Sequence, residues 1–443
     1  MTDKTELKSA KVPQSRLARL SGMGSLAGRI AGNVLLESGK QLAKGKKPQL
    51  SSVLLTEANA RQVADKLAKM RGAAMKVGQL LSMDAGNLMP QELAVILERL
   101  RAEAMTMPAN QLFDVLERNW GEDWQDRFSR FSFDPIAAAS IGQVHKALTS
   151  DGRQMAVKIQ YPGIKESIDS DINNVVSLLR LSGLLPASLE IEPLLDEARI
   201  QLRREADYLR EGEQIRIYQR FVDGHSLREH LCLPEFHDDL STTEILCMSF
   251  MPGEPLEQAM MRRRGDVDHV MTLLMDLFFA ELAEFHCVQT DPNLANYMYD
   301  PDTKQLILLD FGAVRHFSPE FVANYLNAMK AAALQDRVAL RDALQQLGFF
   351  QKDITAANVE VVLDIFSMAT EPLRHEGKYD FSSANLAQRI RDLGMSISGD
   401  PDAWHTPPPD ILFLHRKMGG LYLIATRLQA RLDVKSIFER YVQ

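Results

Sequence analysis

The sequence predicts an α+β chain, and three observations carry that prediction. Strand patterns cluster between residues 131 and 252, where Gly142–Leu148 and Gln154–Tyr161 flank an Asp151-Gly152 pair that signals a tight hairpin turn. Three- and four-residue apolar spacing dominates on both sides of that cluster, as helices require. Composition is that of a folded chain: 443 residues, 45% hydrophobic and 25% charged. Disordered, collagen-like and disulfide-scaffold classes are therefore excluded, and the length suits two or three packed units.

Each element can be justified in chain order. Residues 1–50 hold ten Lys/Arg against three Asp/Glu, a net of +7 that leaves −15 for the remainder and −8 overall. Leu17, Leu20, Leu26, Ile30 and Val34 can share one helix side, although Gly22, Gly24, Gly28 and Gly32 each weaken the helix by about 1 kcal/mol. The segment reads as a strip for an anionic membrane surface or as a basic tail in solvent. From residue 53 to 130 the pattern is helical, with one apolar seam through Ala60, Val63, Leu67, Met70, Ala74, Val77 and Leu81, and with Pro90 and Pro108 punctuating later helices. After the hairpin, a long helix opens near Pro193 and is expected to run through Arg220. Glu244–Phe250 reads as a strand ended by Met251-Pro252-Gly253. Helices follow, interrupted by a short strand at Leu306–Leu309, and Pro407-Pro408-Pro409 precedes a last helical stretch, Leu412–Tyr441.

Several function classes drop out early. Apolar Met271–Phe285 carries Asp276, Glu281 and Glu284, and no uncharged run reaches the roughly 18 residues of a spanning helix. Cys232, Cys247 and Cys287 are scattered without a CxxC, which argues against zinc and disulfides and for a reducing compartment. The acidic whole argues against nucleic acid as a partner. The start, Met-Thr-Asp-Lys, has no apolar secretion signal, so the expected location is cytoplasmic, with no transmembrane helix.

The chemistry concentrates in one downstream set. Asp291 and Asn296 stand five apart in Thr290-Asp291-Pro292-Asn293-Leu294-Ala295-Asn296, and Asp310-Phe311-Gly312 follows nineteen residues after Asp291. Phosphoryl transfer needs one carboxylate to orient or deprotonate the acceptor, and an amide oxygen plus a second carboxylate to hold the metal that bridges the phosphates. Each piece alone is weak and could be a turn; in this order and spacing they match a kinase catalytic core. Upstream, Met155-Ala156-Val157-Lys158 lies on the second hairpin strand. Alternation puts Ala156, Lys158 and Gln160 on one face, so Lys158 can meet nucleotide phosphates while Ala156 leaves room for adenine. Taken in isolation, Lys158 would read as an edge-strand lysine in solvent. The preceding turn, Ala137-Ala138-Ala139-Ser140-Ile141-Gly142-Gln143, stands where a kinase has its Gly-rich phosphate loop. Alanine does not take positive φ cheaply, so a loop of different shape is expected. In Arg204–Glu211, Glu205 falls on the apolar stripe Leu195, Ala198, Leu202, Leu209 and Gly212 and should have a cationic partner, because an unpaired buried carboxylate is costly. Glu211 on a neighbouring face could reach Lys158. Lys76 and Gln79 share a helix face around the costly Gly78, and Lys76 is a candidate partner for Glu205 or Asp207.

These motifs together resemble the UbiB/AarF atypical kinase-like family, and more closely its coenzyme Q biosynthesis branch. The matching pieces are Lys76-Val77-Gly78-Gln79, Ala137–His145, Val157–Gly163, Glu205–Glu211, Gln289–Asn293, Asp310-Phe311-Gly312 and Leu414–Leu421. The resemblance spans roughly residues 53–443 and implies a two-lobed protein-kinase-like fold with an N-terminal helical KxGQ extension and a mainly helical C-lobe. The domains would be 1–50 (basic segment), 51–130 (KxGQ extension), 131–252 (kinase-like N-lobe) and 253–443 (C-lobe). It implies ATP and Mg²⁺ as cofactors in an interlobe cleft. The alanine loop, Ala156 and Lys158 would contact nucleotide, Glu211 would pair with Lys158, Asp291 would take the catalytic-loop aspartate's place, and Asn296 and Asp310 would bind Mg²⁺. Lys76, Gly78 and Gln79 would meet Glu205 and Asp207 and block a protein-substrate site. The implied activity is ATP hydrolysis in support of ubiquinone synthesis at a membrane, with stimulation by an isoprenoid lipid; a scaffold for ubiquinone-synthesis enzymes and a small-molecule or lipid kinase are the alternatives. Partners implied are ATP/ADP, an anionic lipid surface reached peripherally, and ubiquinone-synthesis proteins. Gln289-Thr290 replaces the His-Arg of protein kinases, as in the coenzyme Q branch. The 53 residues from Lys158 to Glu211 require an inserted helical element, an Ala-Pro-Glu motif is missing after Asp310, and terminal membrane helices of the bacterial UbiB kind are not expected.

Overall fold

The Asp151-Gly152 turn closes as its residue types require. Gly152 takes a φ of +93°, the Thr149 hydroxyl donates to the Asp151 carboxylate, and the flanking strands Gly142–Thr149 and Gln154–Gln160 pair antiparallel. These coordinates are a computed structural model, which describes residues 8–9, 67, 70–84, 105–181, 192–350, 354–397 and 408–442. The basic-segment reading of residues 1–50, Lys8 and Ser9 apart, falls outside that set, as do the side chains of Gln79 and Leu81.

Two compact units emerge. The first comprises residues 1–213 and 235–250, the second residues 214–234 and 251–443. In the first, the sheet runs Phe128–Phe131, Gly142–Thr149, Gln154–Gln160, Ile245–Ser249, with Ala137–Ala138 adding to the far end of Gly142–Thr149. Gln154–Gln160 is therefore a central strand bonded on both edges. Its odd-numbered face, Met155, Val157 and Ile159, packs on Leu112, Val115, Leu116 and Trp120 of the helix Ala109–Trp120 and on Trp124 and Phe128. That leaves Ala156, Lys158 and Gln160 on the opposite face. The inserted element is the helix Ile164–Leu181, which packs with Arg71–Asp84 and Glu192–Glu205. The seam residues Ala74 and Val77 of Arg71–Asp84, and Met70 just before it, are buried, as their spacing predicts.

The long helix expected through Arg220 is two helices, Glu192–Glu205 and Tyr208–Asp223. Asp207 is the reason. Its carboxylate accepts from the Arg210 backbone N–H at 3.2 Å, which makes it an N-cap that starts the second helix, while the Tyr208 N–H donates to the Thr243 carbonyl instead of continuing the ladder. The break rotates Leu209 off the apolar stripe and leaves it exposed. Gly142 is required for space. A Cβ there would lie 2.3 Å from the Ile159 carbonyl oxygen and 2.9 Å from the Tyr208 hydroxyl. Gly142→Ala is expected to destabilise the first unit by about 1–3 kcal/mol, the usual cost of overpacking, read as a lower urea midpoint.

The second unit is built on Val267–Ala283, a helix buried on nearly every side. Around it stand Pro319–Ala333, Arg337–Gln346, Ala356–Ala369, Leu386–Ile397, Pro409–Leu428 and Val434–Glu439. The last helical stretch stops earlier than expected, because Gln429 adopts a left-handed φ of +60° and the strand Arg431–Leu432 intervenes to pair with Tyr379–Asp380. Short strands flank the motif loops: Leu231–Cys232, Gln305–Leu308, Tyr297–Asp300 and Glu254–Pro255 form one sheet, and Cys287–Gln289 pairs with Val314–His316. All three cysteines are free thiols, and among the described residues no helix is long and apolar enough to cross a membrane.

Candidate active site

In the first unit the lysine of the central strand is sequestered. Lys158 is 8% exposed and Glu211 1%, and the Lys158 Nζ donates to both Glu211 carboxylate oxygens, at 2.8 and 2.9 Å. The ammonium also lies 5.1 Å from the Tyr208 ring centroid. A central strand, a helix started by Asp207 and a carboxylate one turn into that helix thus hold one amine at a fixed position.

The alanine loop extends from the same sheet. Ala137 and Ala138 pair with Val144 and Gln143, the Ala139 N–H donates to the Gly142 carbonyl at 2.8 Å, and none of residues 137–143 takes positive φ. Its backbone is therefore unlike a glycine loop, as the alanines require. Ser140 at the turn is exposed, whereas Ile141 is buried against Gly72 of the KxGQ helix. Gln143 has a structural part: its buried amide accepts from the Met107 N–H at 2.8 Å and meets His145 Nε2 at 2.8 Å. Burial holds the His145 imidazole below its ordinary range.

Lys76 and Glu205 form a largely buried ion pair. Glu205 therefore has a cationic partner, and its second oxygen lies 3.5 Å from the Ser140 hydroxyl. This joins three sequence motifs, KxGQ, the alanine turn and Glu205. The Ser140 link was not visible in the sequence, where a serine in an alanine turn has no pattern. Asp207 acts locally as the helix cap described above, and Gly78 is buried in the helix Arg71–Asp84.

In the second unit, Asp291, Asn296 and Asp310 converge. The Asn296 Nδ2 donates to the Asp291 carbonyl at 3.2 Å and to Asp291 Oδ2 at 3.1 Å. Asn293 starts the short turn Leu294–Asn296 by accepting from the Ala295 N–H, and the Leu309 N–H donates to the Asn296 carbonyl at 3.0 Å, tying the loop to the segment before Asp310. Asp310 Oδ1 accepts from the Gly312 N–H at 3.0 Å. Phe311 is buried edge-on to Tyr218 at 4.9 Å between centroids. Asn296 and Asp310 line one cavity together with Glu281, Gln289 and Tyr297.

The donor set fits magnesium. With Nδ2 spent on Asp291, Asn296 presents its oxygen. Asp310 adds a carboxylate, and among the described residues no group of three His, Cys, Asp or Glu forms a complete protein cage. Two hard oxygen donors, with the rest left to phosphate and water, is how magnesium is commonly held.

Three partners escaped the sequence argument. Arg416 Nη2 lies 2.6 Å from Asp291 Oδ1, and a Cβ on Gly420, one turn later, would lie 2.1 Å from the Pro292 ring. Lys417 is fully buried and donates to Gln289 Oε1 and to the Tyr297 hydroxyl, both at 3.0 Å. Glu281, with one oxygen 4.0 Å from Lys417, is raised to about 7 by burial. Neighbouring Tyr297 and Glu281 hold the Lys417 ammonium above its ordinary value against the pull of its own burial. A signal existed for each: the Leu414–Leu421 run carried a resemblance without a role, and Glu281 is an acid in an otherwise apolar helix.

The chain is also similar to known proteins. The model of the ABC1 atypical kinase-like domain matches residues 99–344. The mitochondrial atypical kinase COQ8 of Saccharomyces cerevisiae is 35% identical, over 98% of this chain and 86% of that protein. The mitochondrial atypical kinase COQ8B of Rattus norvegicus is 38% identical, over 98% of this chain and 81% of that protein. A Mycobacterium tuberculosis protein solved in complex with erythromycin shares the fold at a TM-score of 0.59 and 25% identity, with 87% of this chain and 96% of that one covered. A sheet bearing a paired lysine, a helical unit bearing the aspartate–asparagine loop and Asp310-Phe311-Gly312, and near-full-length likeness to these relatives lead to one assignment: the chain has a kinase-like fold and belongs to the ABC1 atypical kinase-like family, in its UbiB/COQ8 branch.

Proposed function

We propose that the chain binds Mg·ATP and hydrolyses it in support of ubiquinone synthesis. The observation that carries this reading is the buried Lys158–Glu211 pair: a lysine held at one place by a carboxylate on a rigid sheet suits phosphate contact, and burying such a pair serves stability poorly. Lys158 contacts the phosphates and Glu211 positions it. The turn 137–142 covers the nucleotide, with Ala156 leaving space for the base. Asn296 and Asp310 supply the oxygens for magnesium, which when bound neutralises charge on the phosphates. Asp291 orients water or an acceptor hydroxyl, with Arg416 as its counter-ion. Rate enhancement then comes from positioning and from charge stabilisation.

Lys76, Gly78 and Gln79, with Glu205 and Asp207, restrain access for a protein substrate, which favours hydrolysis over transfer to proteins. Residues 1–50 supply the attachment to an anionic membrane, where ubiquinone-synthesis proteins and isoprenoid lipid are the partners. The purified protein is expected to release phosphate from Mg·ATP above background, and a strain lacking it to lose ubiquinone and regain it on complementation. Restored ubiquinone without phosphate release by the wild type would favour the scaffold reading. A labelled lipid product would favour a lipid kinase.

A further inference from the structure

We propose that Lys417 is a positioning residue for Asp310, acting through the side-chain amide of Gln289. The inference rests on the magnesium-binding role proposed for Asp310, although its structural core does not. Lys417, from the helix Pro409–Leu428, is 1% exposed. Its ammonium has only donors to offer, so the atom of Gln289 that faces it at 3.0 Å is the amide oxygen. The Tyr297 hydroxyl adds a longer bond to that same oxygen at 3.4 Å. With the oxygen pinned, the amide nitrogen points the other way, and Gln289 Nε2 lies 3.5 Å from the Asp310 backbone carbonyl. A flipped amide would set oxygen against oxygen there. Lys417 thereby decides the direction of a bond that restrains the residue before Phe311.

The surroundings keep this arrangement rigid. Glu281 compensates the lysine's charge from 4.0 Å. One Glu281 oxygen accepts from the Tyr218 hydroxyl at 3.0 Å and from the Gln289 N–H at 3.4 Å. Tyr218 packs its ring edge-on against Phe311. The same buried cluster therefore grips the Asp310-Phe311-Gly312 segment on two sides, the Asp310 carbonyl and the Phe311 ring. It also explains how Gln289 serves in place of a histidine: a glutamine needs an external donor to choose its orientation, and Lys417 is that donor.

Lys417→Met alone would strand the Glu281 carboxylate, so the test compares Lys417→Met/Glu281→Gln with Glu281→Gln. In the nucleotide-free protein, amide hydrogen exchange over residues 309–313 is expected to quicken severalfold in the double variant. Adding Gln289→Leu should produce no further change, because the two side chains act in series. At saturating ATP, the magnesium concentration for half-maximal phosphate release should rise about tenfold, while half-saturating ATP at saturating magnesium moves far less. Unchanged exchange over 309–313 overturns the inference whether or not the chain hydrolyses ATP. Faster exchange in a chain whose wild type neither binds nor hydrolyses Mg·ATP sustains the positioning of Asp310 by Lys417 and removes the proposed function.

Discussion

Replacing Lys158 with methionine is expected to cost the first unit about 3–5 kcal/mol, the loss seen when one partner of a buried ion pair is removed. Glu211 is buried deeper than the lysine, at 1% exposure, and both of its oxygens receive the ammonium. Methionine keeps the length and apolar stem of the side chain, so packing on the sheet face changes little and the effect is electrostatic. Lys158→Met/Glu211→Leu should then recover most of the loss, since a buried pair replaced by apolar groups is often neutral. That recovery separates stability from function: the double variant folds well yet is expected to show no thermal shift with Mg·ATP. Urea unfolding monitored by Trp120 and Trp124, which both pack in the core of this unit, reports the change where it occurs. A loss under about 1 kcal/mol for Lys158→Met would place the pair in the range of solvated surface bridges and remove the reason for a pre-positioned lysine.

The same residues show why part of the site could be read in the sequence. Lys158 was accessible because a strand has a period of two, and three apolar residues on alternate positions force the others to the opposite face. Asp291, Asn296 and Asp310 were accessible because the chemistry proposed for them needs a fixed order along the chain. Glu205 betrayed its ion pair by interrupting an apolar stripe. Where reading failed, tertiary contacts had overruled local pattern. Nothing in the helical periodicity of 192–223 announces a break, yet Asp207 caps a new helix there because its side chain competes for the backbone. The second unit's strands are two to four residues long, too short for alternation to register. Arg416 and Lys417 lie more than a hundred residues from Asp291 and Gln289, and neighbours on one helix turn to different partners that only the folded chain brings near.

Asp310→Asn is expected to lower phosphate release at least about a hundredfold, the scale on which a preorganised electrostatic contact to the transferring group contributes, while leaving the fold within about 1 kcal/mol of wild type. The two halves of that expectation come from different atoms. Asparagine is the same size as aspartate, and its oxygen can still accept the Gly312 N–H that Asp310 Oδ1 accepts at 3.0 Å, so the turn after residue 310 keeps its bond. The backbone carbonyl that faces Gln289 is untouched. What is lost is the negative charge beside Asn296, and a neutral amide pair holds a dication poorly. The magnesium requirement should therefore rise together with the fall in maximal rate. In a strain lacking the protein, Asp310→Asn should fail to restore ubiquinone to the extent that hydrolysis is what the pathway needs. Equal release by wild type and variant at matched magnesium would mean that Asp310 does not hold the metal, and the hydrolytic reading would end with it. Full restoration of ubiquinone by a hydrolytically dead Asp310→Asn would instead assign the chain's contribution to nucleotide binding or scaffolding, because the variant differs from wild type in one charge and in no packing contact.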